Sequence, residues 1–414
     1  MGNTGENAPI AFAAQEQAGV RPLPELTKRL DFANHLRGLA AASVVFSHLV
    51  GVFWYMQDYL TIITLAPAQG GAVPTLATAT KFDWFQPGPF GVGLFFLISG
   101  LVVPISLEKH TAGSFLAARA LRIYPTYMAG LAVQLLVLMA ASRIWGHPLP
   151  YDWTTILANA LLIHDITGHP SIDLVNWTLT IELRFYLLIA FLAPWVRRGH
   201  LAAVFGPAIA ACLGAFVLSR WMAAAGTPNS AWFSFTISSQ LPFLVLMLAG
   251  VLFNFHVRGR LGTPGLLGGV LAMAALTAFA WWFSVLRGQF TYVLINDFYA
   301  LALFSAAYAA RRHLPANRIL DALAAISYPL YLVHTTLGYF VLKALMLLAG
   351  FSYLPALATA VLAVAAVAIS LHWIIERPGI DWGHQLGRGR LRAATATSRG
   401  SVPRPEGDSR PLHP

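Results

Sequence analysis

Apolar runs of about twenty residues recur along the whole chain, separated by short polar stretches, and they restrict its fold more than any other feature. At 1.5 Å per residue such a run makes a helix about 30 Å long, the thickness of a bilayer's hydrocarbon core. A spanning β-barrel would need alternating apolar and polar positions instead, and no such alternation is visible. Of 414 residues, 57% are hydrophobic and 11% charged. Ordinary soluble proteins carry roughly 25% charge, so a water-soluble fold would lack the charge to cover its surface. The reading is an all-α integral membrane protein of about ten transmembrane helices, near 38–56, 90–107, 123–141, 177–196, 201–219, 238–256, 265–286, 291–311, 323–348 and 355–375. The apolar segment 153–164 is too short to cross and suits a re-entrant or interfacial piece.

The net charge of +10 would raise nucleic-acid binding for a soluble protein, but here Lys and Arg sit between and beyond the apolar runs and read as topology signals. With the N-terminus in the cytoplasm, most of the 27 Lys and Arg fall on the inside, while Lys81, Arg143, Arg220 and Arg287 fall outside. Both termini are therefore expected in the cytoplasm. Residues 1–30 are polar, without an apolar stretch and cleavage site of the signal-peptide kind, and the tail 381–414 is rich in Arg, Pro, Gly and Ser. Both ends are expected to be disordered, flanking one transmembrane domain over 31–380. The one cysteine, Cys212, lies in an Ala-rich run, which rules out an intrachain disulfide or a Cys-based metal site. No metal site is expected.

Six segments carry side chains able to do chemistry. In the first span Arg37 and His48 are eleven residues apart, about three turns and roughly 16 Å, so they share one helix face with His48 near mid-membrane. An ionisable group there faces a protein interior or a wet cavity, or else hydrogen-bonds a neighbouring helix. The segment Gly88–Gly100 sets small residues beside Phe95 and Phe96, suiting close approach of another helix or a ligand, and Ser99 is its one hydroxyl. Arg119 and Arg122 stand one turn apart before the third span, spaced for phosphate binding as well as for positive-inside topology. Tyr124 and Tyr127 follow at a level suited to lipid headgroups. Toward the opposite side, Glu182 and Arg184 suit either a structural ion-pair network or an acceptor site, with Tyr186 one turn beyond Glu182. His334 falls midway into the ninth span, and Glu376, Arg377 and Pro378 close the last one.

Taken in order, these segments resemble acyltransferase family 3, bacterial membrane proteins that transfer acyl groups to sugars and other hydroxyl compounds. The resemblance runs from about Asp31 to Pro378 and rests on an Arg-x10-His pair (Arg37, His48), an FFxxSG segment (Phe95, Phe96, Ser99, Gly100) and an RxxR pair (Arg119, Arg122). It continues through a WxLxxE element (Trp177, Glu182), the SYxLYLxH run ending at His334 and a terminal ERP. The acid that family members often carry three residues before the Arg is here six before it, as Asp31, and only Glu182 of the family's Glu-Glu-Gln is kept. The resemblance implies an O-acyltransferase of the bacterial inner membrane that binds no cofactor and uses acyl-CoA, commonly acetyl-CoA, as donor. Its acceptor would be a carbohydrate or another hydroxylated compound, and nucleic acid would play no part. Arg37 and His48 would be catalytic, with His48 a general base or a transient acyl carrier. Arg119, Arg122, Phe95, Phe96, Ser99 and Gly100 would bind acyl-CoA; Glu182, Tyr186 and His334 would serve the acceptor or the structure. The alternative is a proton-coupled secondary transporter, which intramembrane histidines and a glutamate would also suit.

Overall fold

The computed structural model describes residues 30–382 apart from residues 79, 81–83, 109 and 225–227. The two termini expected to be disordered lie outside the described residues but for Leu30, Asp381 and Trp382. Among the described residues every regular element is helical. In chain order the helices that shape the molecule are α1 (Asp31–Phe46, continued by a π-helical turn Ser47–Val52), α2 (Pro87–Leu107), α3 (Ala112–Trp145) and α4 (Asn176–Phe191). Next come α5 (Ala202–Ala224), α6 (Pro228–Val257), α7 (Thr263–Phe283), α8 (Phe290–Ala310), α9 (Ser327–Val333), α10 (Thr336–Leu347) and α11 (Tyr353–Leu371, continued by a second π-helical turn His372–Glu376).

Eight of these helices are long and apolar enough to cross a bilayer, and α9 with α10 makes a ninth if the pair, bent by 52° at its break, counts as one span. The protein is thus a multi-pass membrane protein. Apolar side chains exposed on the outside, such as Leu271 at 72%, Leu362 at 70% and Phe191 at 74%, suit contact with lipid. The expected ten spans are not reached by length and composition, and the difference lies in α4. Sequence alone reads 177–196 as a crossing, but α4 has 16 residues.

The segment before α4 explains this. The helix Trp153–Ala160 has eight residues and is about 12 Å long, too short to cross. Its N-cap Asp152 accepts the Thr155 N–H at 2.8 Å, and Leu162, in the left-handed region at φ 56°, turns the chain back. Buried Asn159 then pins the return: its amide nitrogen donates to the Thr155 and Pro170 carbonyls, and its oxygen accepts from the Ile172 N–H. Tyr124 and Tyr127 of α3 donate to the Leu161 and Asn159 carbonyls. The fully buried Tyr127 is therefore an anchor for this segment and not the headgroup-level residue the sequence suggests. After this segment α4 starts at a fully buried Asn176.

Two helices form the centre. In the apolar windows of α2 and α6, 72% of the residues are buried, against 28% in α3 and α11. The central pair meets through glycine: a Cβ on Gly100 would lie 2.0 Å from the Met247 carbonyl oxygen, and one on Gly250 2.4 Å from that of Leu97. Overpacking of this kind costs about 1–3 kcal/mol or more, so any side chain at Gly100 would push the helices apart. α1 crosses the other side of α2 just as closely, where a Cβ on Gly91 would meet the Ala40 carbonyl at 2.7 Å. The small residues of the second span therefore serve backbone approach on two faces, leaving a third face free to line a cavity.

Candidate active site

That third face of α2 carries Val92, Phe95, Phe96 and Ser99, at the i, i+3, i+4, i+7 spacing of a single helical stripe, and it lines a cavity of about 640 Å3. α1 adds Arg37, α3 adds Arg119 and Arg122, α4 adds Glu182 and Tyr186, and α9 adds Ser327, Tyr328 and Tyr331. Arg119 is only 8% exposed; it donates to Ser106 Oγ at 2.5 Å and lies over the rings of Tyr186 at 5.3 Å and Phe115 at 5.6 Å. Glu182 accepts hydrogen bonds from Ser99 at 3.2 Å and from Tyr186. Among the described residues none of the three guanidiniums is ion-paired to a carboxylate. The carboxylates of Asp31, Glu182, Asp321 and Glu376 line the same cavity, Asp321 beside His35 at 3.5 Å and Glu376 beside His372 at 2.7 Å, so the three guanidiniums stand among acidic groups without a direct ion pair to them and keep donors that a phosphate could take.

Farther along α1 and α2, a second cavity of about 520 Å3 is bordered by Ser47 and His48 of α1, Gly88 of α2 and the 164–171 segment. Trp177, Phe243 and Trp281 give it aromatic walls. Asp165, in its rim, is held by Arg184 through both carboxylate oxygens at 2.9 Å and by Gln240 at 2.8 Å. Arg184 therefore belongs to a structural network with Asp165, whereas Glu182, two residues earlier, faces the arginines. Sequence spacing put Glu182 and Tyr186 at the end away from Arg119. Because α4 starts deep inside the bundle, both come to lie in the arginine cavity.

His48 sits in the π-helical turn of α1, a local widening often found at functional sites. Its Nδ1 lies 2.9 Å from the Tyr339 hydroxyl, and its ring meets that of His334 edge-on at 5.0 Å. The linings of the two cavities have one residue in common. Among the described residues Val92 alone borders both, and on α4 Trp177 faces the second cavity while its neighbour Thr178 faces the first. Likewise Tyr331 lines the arginine cavity, and His334, three residues on, packs against His48. Of the residues singled out in the sequence, Arg37, Phe95, Phe96, Ser99, Arg119, Arg122, Glu182 and Tyr186 gather in the first cavity. His48 lines the second, with His334 packed against it. Gly100 lines neither, being spent on α6.

Residues 30–375 match the family model described as an acyltransferase domain, that of acyltransferase family 3. The chain belongs to this family. The chain is also 31% identical over 208 residues to Nodulation protein 10 of Rhizobium leguminosarum bv. viciae, a match covering 45% of this chain and 50% of that protein. The chain thus spans about half the length of this curated relative. No solved structure matches it. Family membership supports an acyltransferase reading and does not favour the transporter. Among the described residues of the acyltransferase no group of three or more His, Cys, Asp or Glu side chains is placed to hold a metal ion.

Sequence reasoning missed Tyr339 and Asp173, which shape the surroundings of His48, and the His372–Glu376 pair, bonded at 2.7 Å, which lines the arginine cavity. Glu376 carried a signal in the terminal ERP. Tyr339 had none, since a tyrosine in an apolar run reads as core.

Proposed function

We propose that the arginine cavity binds acyl-CoA, with acetyl-CoA the expected form, its phosphates held by Arg37, Arg119 and Arg122. The thioester then reaches past Val92 to His48, while a hydroxyl of a carbohydrate or related acceptor enters the aromatic cavity. The supporting observation is the gathering of three guanidiniums without ion-paired carboxylates in one cavity that meets the cavity of His48 at a single residue. In the direct route His48 takes the proton of the acceptor hydroxyl as its oxygen attacks the thioester carbonyl. The C–S bond breaks, the ester forms, and the CoA thiolate leaves with a proton returned by His48. In the alternative route the imidazole nitrogen attacks first and carries the acyl group to the acceptor.

The aromatic cavity suits an uncharged, hydroxyl-bearing acceptor. Its one carboxylate among the described residues, Asp165, is paired with Arg184, and its aromatic walls are interrupted by uncharged hydrogen-bonding side chains, among them Thr236, Ser239, Gln240 and Gln289. The basic ends of the spans agree with the arginine cavity facing the cytoplasm, where CoA is found, in a bacterial inner membrane.

The test is incubation of the purified protein in nanodiscs with radiolabelled acetyl-CoA, following hydrolysis, label retained on the protein and label passed to added glycans. Turnover or labelling that unlabelled CoA competes away supports the reading. A folded protein that neither binds nor consumes acetyl-CoA or longer acyl-CoAs would sink the donor assignment.

A further inference from the structure

The ninth span is broken beside His48, and the break is built. Between α9 and α10 the chain bends by 52° across His334 and Thr335. A single buried carboxylate holds the bend: Asp173, 1% exposed, accepts from Thr335 Oγ1 at 2.5 Å on one oxygen and from Thr336 Oγ1 at 2.9 Å on the other. Burying a carboxylate is expensive, so a clamp of this kind fixes where the helix restarts. The first half ends by laying His334 edge-on to His48. In the second half Tyr339 puts its hydroxyl on His48 Nδ1. Gly338 lets α10 come this close, since a Cβ there would meet Leu49 at 2.5 Å.

The hydrogen bonds constrain the protons. His334 Nδ1 bonds the Tyr331 carbonyl at 2.8 Å; a carbonyl only accepts, so this nitrogen carries hydrogen. In the neutral ring its buried Nε2 then keeps a lone pair, and among the described residues that atom has no hydrogen-bond partner. His48 is left with one nitrogen occupied by Tyr339 and the other free for the cavity it lines. A phenol can donate or accept. If Tyr339 donated, His48 Nε2 would carry the hydrogen in the neutral ring and could take no proton from an acceptor. If Tyr339 accepts from Nδ1–H, Nε2 holds the lone pair that both routes of transfer require.

We infer that Tyr339 is the positioning residue of this acyltransferase: its hydroxyl accepts the Nδ1 hydrogen of His48 and so fixes the tautomer whose Nε2 reacts, while the Asp173 clamp on the broken span sets Tyr339 in place. The inference rests on the reading of His48 as the reacting group. Titratable groups facing His48 are His334 and Tyr339 on the broken span and His164, Asp165 and His169 of the segment lining the same cavity.

Tyr339→Phe removes the hydroxyl and keeps the ring, which is buried and stacks on Phe53 at 6.3 Å. Two readouts test it. One is the rate at which diethylpyrocarbonate, which acylates an unprotonated imidazole nitrogen, modifies His48 across pH 5.5–8.5, read by mass spectrometry on protein in nanodiscs. The other is kcat and KM for acetyl-CoA consumption. The expected result is acylation of His48 slowed about tenfold with its pH midpoint moved, and kcat down about 10–100-fold with KM changed less than about threefold. Thr335→Val, which loosens the clamp and touches nothing at His48, should move both in the same direction by less. Acylation of His48 in Tyr339→Phe at the wild-type rate and midpoint would overturn the inference even if His48→Ala is inactive. A His48→Ala protein that still consumes acetyl-CoA normally would overturn it through the reading beneath it.

Discussion

At one end of α1 and α2 the cavity wall carries three guanidiniums, the carboxylates of Asp31, Glu182, Asp321 and Glu376, and tyrosine hydroxyls; at the other it carries His48, His164 and His169, aromatic rings and an aspartate paired with Arg184. The same helices build both, yet the two ends are suited to different work. The first offers charge for holding a large anionic carrier, and the second offers a poised nitrogen in surroundings that exclude most charge. On the proposed function, binding and bond-making are separated along a helix pair, so substitutions should affect the two kinetic constants separately.

The sharpest break between the ends is expected from His48→Ala, which should lower kcat at least about 100-fold with acyl-CoA affinity nearly unchanged. Isothermal titration with a non-hydrolysable acyl-CoA thioether measures the affinity, and equal losses in both constants would remove the separation. Arg119→Ala and Arg122→Ala should do the reverse, raising KM for acetyl-CoA about tenfold or more each while kcat moves little, because each removes a charge-assisted contact of about 1.5–3 kcal/mol. Raising the ionic strength should weaken the wild-type protein more than either variant. At the meeting point, Val92→Phe should slow transfer and Val92→Ala should shift the ratio of butyryl to acetyl turnover upward by about 2–10-fold. An unchanged ratio would mean the acyl group takes another path. The smallest effect lies outside both cavities. The exposed N-cap carboxylate of Asp152 is held down to about 2 by hydrogen bonds from the Thr155 hydroxyl first, then the Thr155 N–H and the Thr154 hydroxyl. Its support for the helix Trp153–Ala160 is present above the ordinary carboxylate range and lost as pH falls through about 2. Asp152→Ala should speed hydrogen exchange at the Thr155 amide and leave acyl transfer unchanged.

Much of this layout was legible in the sequence, for physical reasons that differ by region. Length and hydropathy fix a crossing helix, so α2, α3, α5 and α11 fall where the apolar runs lie. The arginines could be read because a guanidinium at a span's end has few uses. The tenth span is not reached by helix length and composition, and hydropathy, which measures transfer to oil, cannot tell lipid from protein. The residues around α4 are largely apolar to suit a buried re-entrant turn, and buried polar residues such as Asn159, His164, Asp165, Asp173 and Asn176 mark the difference. Glu182 was misplaced along the membrane for the same reason. Buried Lys343 is a similar case: it donates to the Ala66 and Pro67 carbonyls, a contact 276 residues away that no local pattern announces. Tyr339 was invisible because its meaning comes from a partner 291 positions earlier.

Two cavities that share Val92 and no other described residue have a consequence for the membrane as an insulator. An acyl group of two carbons can pass between packed side chains that close behind it, whereas a hydrated ion would need both cavities to join into one wet path. On the proposed acyl path, the seal against ion leakage would rest on the packing around Val92. Loosening that packing to admit longer acyl groups would be limited by electrical leakage before it was limited by chemistry.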